Sequence, residues 1–407
     1  MNMKKIIGML LCFVLVTSLL AGCGQSSEAG EDAETYHTIA VAVYDPTDPE
    51  MALFIHYYQN YIAESFPVSF LISGELGSAK EEIEFLTSAK EAGAEACISF
   101  YGEDLESILA ACGELELYYV KGSASISDED YEAYKDDPWF LGVIGPFEEE
   151  EEEIGREMAA LFAAEGASSY LILTGGAGGQ TNFMQYTRAE AMLAQLAEDL
   201  ELTYTEEIGE IAAAEALTVV ETGREDVTIV LAPGYLQTEE GQAALTEALA
   251  LADYDAVLSV MGIGSVSDIL QEVEDASEDG LLVGVVDCFS EENLKLAESG
   301  LLDYVAGKYA SMAAPAFAAV FNAMEGDLDL VHPDGEAFRI SQSYWTAVGQ
   351  DEYDELYSYT QSIYENAYSS VDLMSVIRAY NGDATYEEFC LLAESSDIES
   401  VRERLGE

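Results

Sequence analysis

The chain has 407 residues, of which 79 are Asp or Glu and 15 are Lys or Arg, giving a formal net charge of −64. A surface this acidic repels phosphate backbones, which excludes nucleic acid as a partner, and it does not seek an anionic membrane surface. The hydrophobic fraction of 49% is that of a chain with a packed core, so the acids belong to a solvated surface and not to a disordered polymer.

The N-terminus reads MNMKK, followed by an apolar run from Ile6 to Leu20 and then Leu20-Ala21-Gly22-Cys23. A basic start, an apolar centre and small residues before a break form a secretory signal. With its cysteine, this segment resembles a bacterial lipoprotein signal. The resemblance implies that residues 1–22 are removed and that Cys23 is lipidated as the mature N-terminus. The other reading is an uncleaved anchor helix, although the run is short against the roughly 20 residues that a span requires. Both readings hold the rest of the chain at the extracellular face of the cytoplasmic membrane. Residues 23–36 are small, polar and acidic, and read as a tether. No later segment is long and apolar enough to span a bilayer.

Strand and helix patterns then alternate. Thr38–Tyr44 is a strand stopped by Asp45-Pro46, and residues 49–65 carry a helix-spaced stripe of Leu53, Phe54, Tyr57, Tyr58, Tyr61 and Ile62. Strands are expected at Val68–Ile72, Ala96–Tyr101, Leu117–Val120 and Phe140–Ile144, with helices at Lys80–Ala92 and Leu105–Leu115. A run of six glutamates, Glu148–Glu153, opens the next helix; it suits the positive end of the helix dipole and reads as a solvated start. Further strands are expected at Tyr170–Thr174, Leu202–Ile208, Val227–Ala232, Ala256–Val260, Leu281–Val286 and Tyr304–Ala306. The intervening helices are Phe183–Leu200, Ala213–Thr222, Glu239–Ala252, Val266–Glu274, Glu291–Ser299 and Met312–Met324. Strands joined by crossover helices predict α/β architecture with parallel sheets, and the number of strands predicts two lobes. Residues 349–407 read as a helical extension, tyrosine-rich at first and then two shorter helices.

In open α/β sheets, ligands bind beyond the carboxyl ends of the strands. That rule draws attention to Tyr44, Asp45, Tyr101, the glycine-rich residues 175–180, Asp287 and Lys308. The stretch LTGGAGGQTN is not a P-loop, because no Lys-Ser or Lys-Thr follows, nor is it a clean dinucleotide fingerprint. It reads as a tight strand-to-helix turn with Thr181 or Asn182 as helix cap. Arg188 lies four residues before Met192 and eight before Leu196, so it continues their apolar stripe toward the helix start. A cation on that inward face needs an anionic or polar partner. It is either a hydrogen-bonding clamp for a ligand or half of a structural ion pair. Asp287 is either a ligand contact or a helix cap, and Lys308 either a ligand contact or part of a helix start.

No catalytic set is found. The three histidines, His37, His56 and His332, pair with no nucleophile, and no known nucleophile or metalloprotease motif occurs. Cys97, Cys112, Cys288 and Cys390 have apolar neighbours and no metal-ligand spacing, so they read as buried free thiols. No cofactor or metal is expected.

The order of elements resembles the type I periplasmic binding proteins, the sugar-binding receptors of ABC importers and their lactose-repressor-like relatives. The correspondence rests on TIAVAVYD in the first lobe, LILTGG…YTRAEAML opening the second, GVVD ending a later strand, and YVAGKYASMAAPAF where the chain returns. It implies two Rossmann-like lobes joined by a hinge: residues 37–146 and 307–348 in lobe 1, 147–306 in lobe 2. It gives Arg188 the role of ligand clamp and Asp287 that of a ligand-hydroxyl acceptor. Lys308 stands near a position that in the family often holds Gln, and nucleoside-binding lipoproteins of related fold carry a similar Lys-Tyr segment. Tyr44, Tyr101 and Phe147 are expected to stack on the ligand, with Asp45 and Asn182 beside them. The implied function is capture of a small polar molecule, a sugar above all, and delivery to an ABC importer permease. A nucleoside or amino-acid receptor, or a sensor for a membrane kinase, is the alternative.

Overall fold

The computed structural model describes residues 36–176, 182–277, 280–361 and 367–406. Cys23, the signal, all of the tether but Tyr36, and residues 177–181 of the glycine stretch lie outside the described residues.

The first sheet begins with β1 (His37–Ala42), whose residues are almost all buried because strands flank it and helices cover both faces. The chain turns at Asp48, which accepts the backbone N–H groups of Glu50 and Met51 and caps α1 (Pro49–His56), with proline at the first helical position. The helix continues through a π-helical turn, Tyr57–Ile62. There follow β2 (Val68–Ile72), α2 (Ala79–Glu91), β3 (Ala96–Ser99), α3 (Leu105–Leu115), β4 (Tyr118–Gly122), α4 (Asp128–Tyr134) and β5 (Phe140–Gly145).

The chain then crosses to the second lobe through Pro146 and Phe147. That lobe contains α5 (Glu148–Ala164), β6 (Ser169–Gly175), α6 (Phe183–Asp199), α7 (Ile208–Ala212), β7 (Thr218–Val219) and β8 (Thr228–Pro233). It continues with α8 (Glu239–Leu249), β9 (Ala256–Ser259), α9 (Ser267–Ala276), β10 (Leu282–Cys288), α10 (Glu291–Ser299) and β11 (Tyr304–Lys308). A second crossover, residues 309–313, returns to α11 (Ala314–Met324), which packs on β3, β4 and β5, then α12 (Leu328–Val331) and β12 (Phe338–Ser341). A third, residues 342–344, leads to β13 (Trp345–Val348).

The strand orders are β12-β5-β4-β3-β1-β2 and β13-β11-β10-β9-β6-β8-β7. The first sheet is wholly parallel; in the second, only the edge strands β13 and β7 run antiparallel. The expected α/β architecture with parallel sheets in two lobes is therefore present.

Three expectations need correction. The span 307–348 does not belong to lobe 1 at either end. Gly307 and Lys308 continue the pairing of β11 with Asp287 and Cys288, and β13 pairs antiparallel with β11, which buries Trp345 and Ala347 on one face. The expected strand Leu202–Ile208 and helix Ala213–Thr222 are replaced by the short helix α7 and strand β7. Val219 and Val220 are β-branched and find an open edge beside β8, and that pairing overrides the helical pattern. The extension holds four described helices, α13 (Gly349–Gln361), α14 (Ser370–Val376), α15 (Tyr386–Glu394) and α16 (Ile398–Leu405), and not three.

Candidate functional site

The carboxyl ends of β1, β10 and β11 converge where the start of α1 packs on β10 and on residues 310–313. Lys308, at the end of β11 and buried, donates from Nζ to Glu50 Oε1 at 3.0 Å. Glu50 is on α1, so this ion pair joins the two lobes. Burial pushes the Glu50 carboxyl up; Lys308 and Arg188 pull it down, and Asp48 adds to the rise. Asp287, at the end of β10, accepts Asn293 Nδ2 at 2.7 Å, and among the described residues its other oxygen has no hydrogen-bond partner. Burial lifts Asp287 to about 7, against the Asn293 bond and with the charges of Glu50, Asp48 and Glu292. Tyr44 is 36% exposed, and its hydroxyl donates to Asp48 Oδ1 at 2.7 Å. Its phenol is pushed up by burial and by the fields of Glu50, Asp48 and Asp287.

Arg188 forms the other half of the site. It is buried near the start of α6. Its Nε donates to Glu151 Oε2 at 2.5 Å, one terminal nitrogen to the Val260 carbonyl at 2.7 Å, and the other to the Tyr344 hydroxyl at 2.7 Å. Tyr344 in turn donates to Glu151 Oε1 at 3.0 Å. Burial opposes the charge on Arg188, but the Glu151 charge and bond outweigh it, and the guanidinium stays firmly protonated. A guanidinium has five N–H donors. Three are committed among the described residues.

Of the residues proposed from sequence, Tyr44, Arg188, Asp287 and Lys308 lie near one another and near Asp48 and Glu50. Four other candidates are engaged locally. Asp45 accepts the Thr47 N–H and hydroxyl at 2.8 and 2.7 Å. Tyr101 donates to Glu103 at 2.9 Å. Phe147 lies under the Arg339 guanidinium, 5.2 Å from its ring centre. Asn182 caps α6 by accepting the Gln185 N–H at 3.2 Å, as one reading of the glycine stretch expected. Gly175 in that stretch has φ +70°, and a side chain there would collide with the Gln185 carboxamide, whose oxygen accepts the Gly176 N–H.

Two buried glutamates, Glu82 and Glu151, and the part-buried Glu50 were missed. Glu50 and Glu151 are described above; the latter corrects the reading of Glu148–Glu153 as wholly solvated, since Glu151 is 0% exposed. Glu82 accepts Ser99 Oγ at 2.7 Å, Tyr119 OH at 3.0 Å and the Gly102 N–H at 3.2 Å, which fixes the loop carrying Tyr101. Cys97, Cys112 and Cys288 are buried free thiols, and Cys390 is free and half-buried. Among the described residues, no three His, Cys, Asp or Glu are grouped to hold a metal.

Neither a family model nor a curated protein matches the chain. Solved structures do. A solute-binding protein of an ABC transporter from Actinobacillus succinogenes 130z, with bound D-allose, matches at a TM-score of 0.57 and 12% identity, over 78% of this chain and 99% of that one. The chain has the type I periplasmic-binding-protein fold. Two further structures of this fold are similar to it. The arabinose-binding component from Shewanella sp. ANA-3, bound to L-arabinofuranose, gives 0.55 at 14% identity, over 80% and 95% of the two chains. A solute-binding protein from Bacillus halodurans C-125 with bound myo-inositol gives 0.54 at 12%, over 81% and 99%.

Proposed function

We propose that the protein is a lipid-anchored extracellular receptor that closes its two lobes on a small polyhydroxylated molecule, a sugar, and delivers it to an ABC importer. It binds and does not catalyse. The observation that carries this reading is the convergence of Tyr44 and Glu50 from lobe 1 with Arg188, Asp287 and Lys308 from lobe 2, spanned by three hinge segments. Carboxylates accept sugar hydroxyls, the guanidinium N–H groups of Arg188 donate to them, and Tyr44 offers a ring face. Ligand stabilises the closed form by touching both lobes at once. The sugar-bound structures of the same fold support the ligand class, and Cys23 supplies the anchor. Among the described residues no helix is long and apolar enough to cross a membrane.

Thermal unfolding of the chain from residue 24 against sugars, nucleosides, amino acids and polyamines tests the reading. A ligand that binds only the folded state raises the midpoint, by about 2.7 kcal/mol of stability at a hundredfold excess over Kd. A shift with one sugar, lost in Asp287→Ala, supports the assignment. A shift confined to nucleosides or amino acids replaces the ligand class, and no shift at all removes the receptor reading.

A further inference from the structure

The fold resemblance leaves residues 349–407 without a role, yet they straddle both lobes. On lobe 2, α13 lies along β13 and α10, and Tyr353 donates to the Ser290 carbonyl at 3.0 Å. On lobe 1, Asn322 of α11 donates to the Val376 carbonyl at 3.0 Å and accepts the Arg378 N–H at 2.9 Å. Between these attachments sits Ser396, which is fully buried. Its carbonyl accepts Trp345 Nε1 at 2.9 Å and Tyr309 OH at 3.2 Å, and its hydroxyl accepts the Ser343 N–H at 3.0 Å. Tyr309 belongs to the second crossover, and Ser343 and Trp345 bracket the third. One residue of the extension thus grips two of the three hinge segments.

The residue between Ser343 and Trp345 is Tyr344, which bonds Arg188 and Glu151. The Trp345 indole meets the extension at Ser396 while the adjacent Tyr344 meets the Arg188 clamp, and Gln342 also donates to the Tyr368 hydroxyl of the extension at 3.3 Å, so one short segment touches both. Its flank holds a further tension. Gln342 is buried and donates to the Met312 carbonyl at 3.0 Å, but its own side-chain oxygen has no partner among the described residues. A buried acceptor left unpaired disfavours the arrangement that buries it, so this segment has a reason to rearrange.

We infer that the C-terminal extension is a hinge brace wired to the ligand clamp, with Ser396 as the grip and Tyr344 as a positioning residue that acts on ligand through Arg188. The role of the clamp rests on the receptor reading above; the brace does not. Because coupling is reciprocal, whatever loosens the extension weakens the cleft, and whatever fills the cleft tightens the extension.

The test is a double-mutant cycle on the full chain with Ser396→Ala and Tyr344→Phe, read by amide hydrogen exchange without ligand. Ser396→Ala is expected to speed exchange tenfold or more at residues 342–345 and also at 186–192 of α6, which Ser396 does not touch. In the Tyr344→Phe background it is expected to add nothing at 186–192. Ser396→Ala removes the bond to the Ser343 N–H and keeps those of the carbonyl, and Tyr309→Phe, which removes one of the carbonyl bonds, serves in the same cycle if Ser396→Ala does not fold. Faster exchange confined to the extension, or additive effects at 186–192, overturns the wiring. D-allose, L-arabinose and myo-inositol are then titrated into each variant. A sugar that binds the wild type is expected to bind Ser396→Ala about tenfold more weakly, and equal affinity overturns the coupling. If none binds the wild type, the sugar reading has failed, and the exchange cycle still decides the brace.

Discussion

Arg188 and Lys308 are two buried cations of the candidate site, and each faces a glutamate, yet they do different work. Arg188 and Glu151 belong to the same lobe, and Tyr344 and the Val260 carbonyl complete a closed set of bonds around them. Lys308 and Glu50 belong to different lobes and share one bond. A separation of the lobes would leave the first pair untouched and would break the second. A pair within a lobe presets the geometry of a site, whereas a pair between lobes sets how readily the site opens.

The sharpest way to break this comparison is Glu151→Ala. It leaves the Arg188 guanidinium buried without its counter-charge, which costs about 3–5 kcal/mol. Urea unfolding measures it, and a loss under about 1 kcal/mol would mean that the guanidinium reaches water. Lys308→Met is expected to cost less, about 1–3 kcal/mol, because Glu50 can regain water when the lobes part. It should also increase the radius of gyration in small-angle scattering of the free chain, which Glu151→Gln should not. If both variants expand the chain equally, the distinction fails. The third test is pH. Asp287 is raised to about 7 from the usual range near 4, so its ionisation opposes folding. Stability lost as pH rises from 4 to 7 should be smaller in Asp287→Asn than in the wild type, the remainder coming from other carboxyls raised by burial, such as Glu50, Glu82 and Asp303. The difference between their urea midpoints at pH 4.5 and 7.5 reports it, and parallel profiles would place Asp287 in contact with bulk water. The smallest effect, about 1 kcal/mol, is expected for Asn182→Ala, which removes the cap of α6 and should leave both ion pairs and the pH profile as they are.

The sequence shows the parallel strands well because a strand covered on both faces is a continuous apolar run, as in β1 and β10. Arg188 was legible because it sits in phase with Met192 and Leu196. The same rule finds the glutamates that were missed. Glu50 lies four residues before Phe54, Glu82 four before Leu86, and Glu151 three before Ile154 and seven before Met158. Each extends a buried stripe by one turn at the helix start, and each is buried or nearly so. In a chain with 79 acids the abundance hides them, and only helical phase separates an inward carboxylate from its solvated neighbours. Tyr344 could not be read this way. Its partner Arg188 is 156 positions away, and nothing in the local pattern of a crossover specifies which side chain it will meet. The edge assignment of Leu202–Thr222 failed for a related reason, since the free edge of β8 decided it.

Each sheet takes an edge strand from the last quarter of the chain: β12 closes beside β5, and β13 beside β11. Neither lobe is contiguous in the order of synthesis: the first sheet is complete only with Ser341 and the second only with Val348. A chain stopped short of Phe338 leaves β5 and β11 with bare hydrogen-bonding rims, which are templates for pairing with a second chain. Folding is thus a race between the arrival of the last strands and lateral aggregation of the first. A dense coat of negative charge, which keeps half-made molecules apart, favours the former.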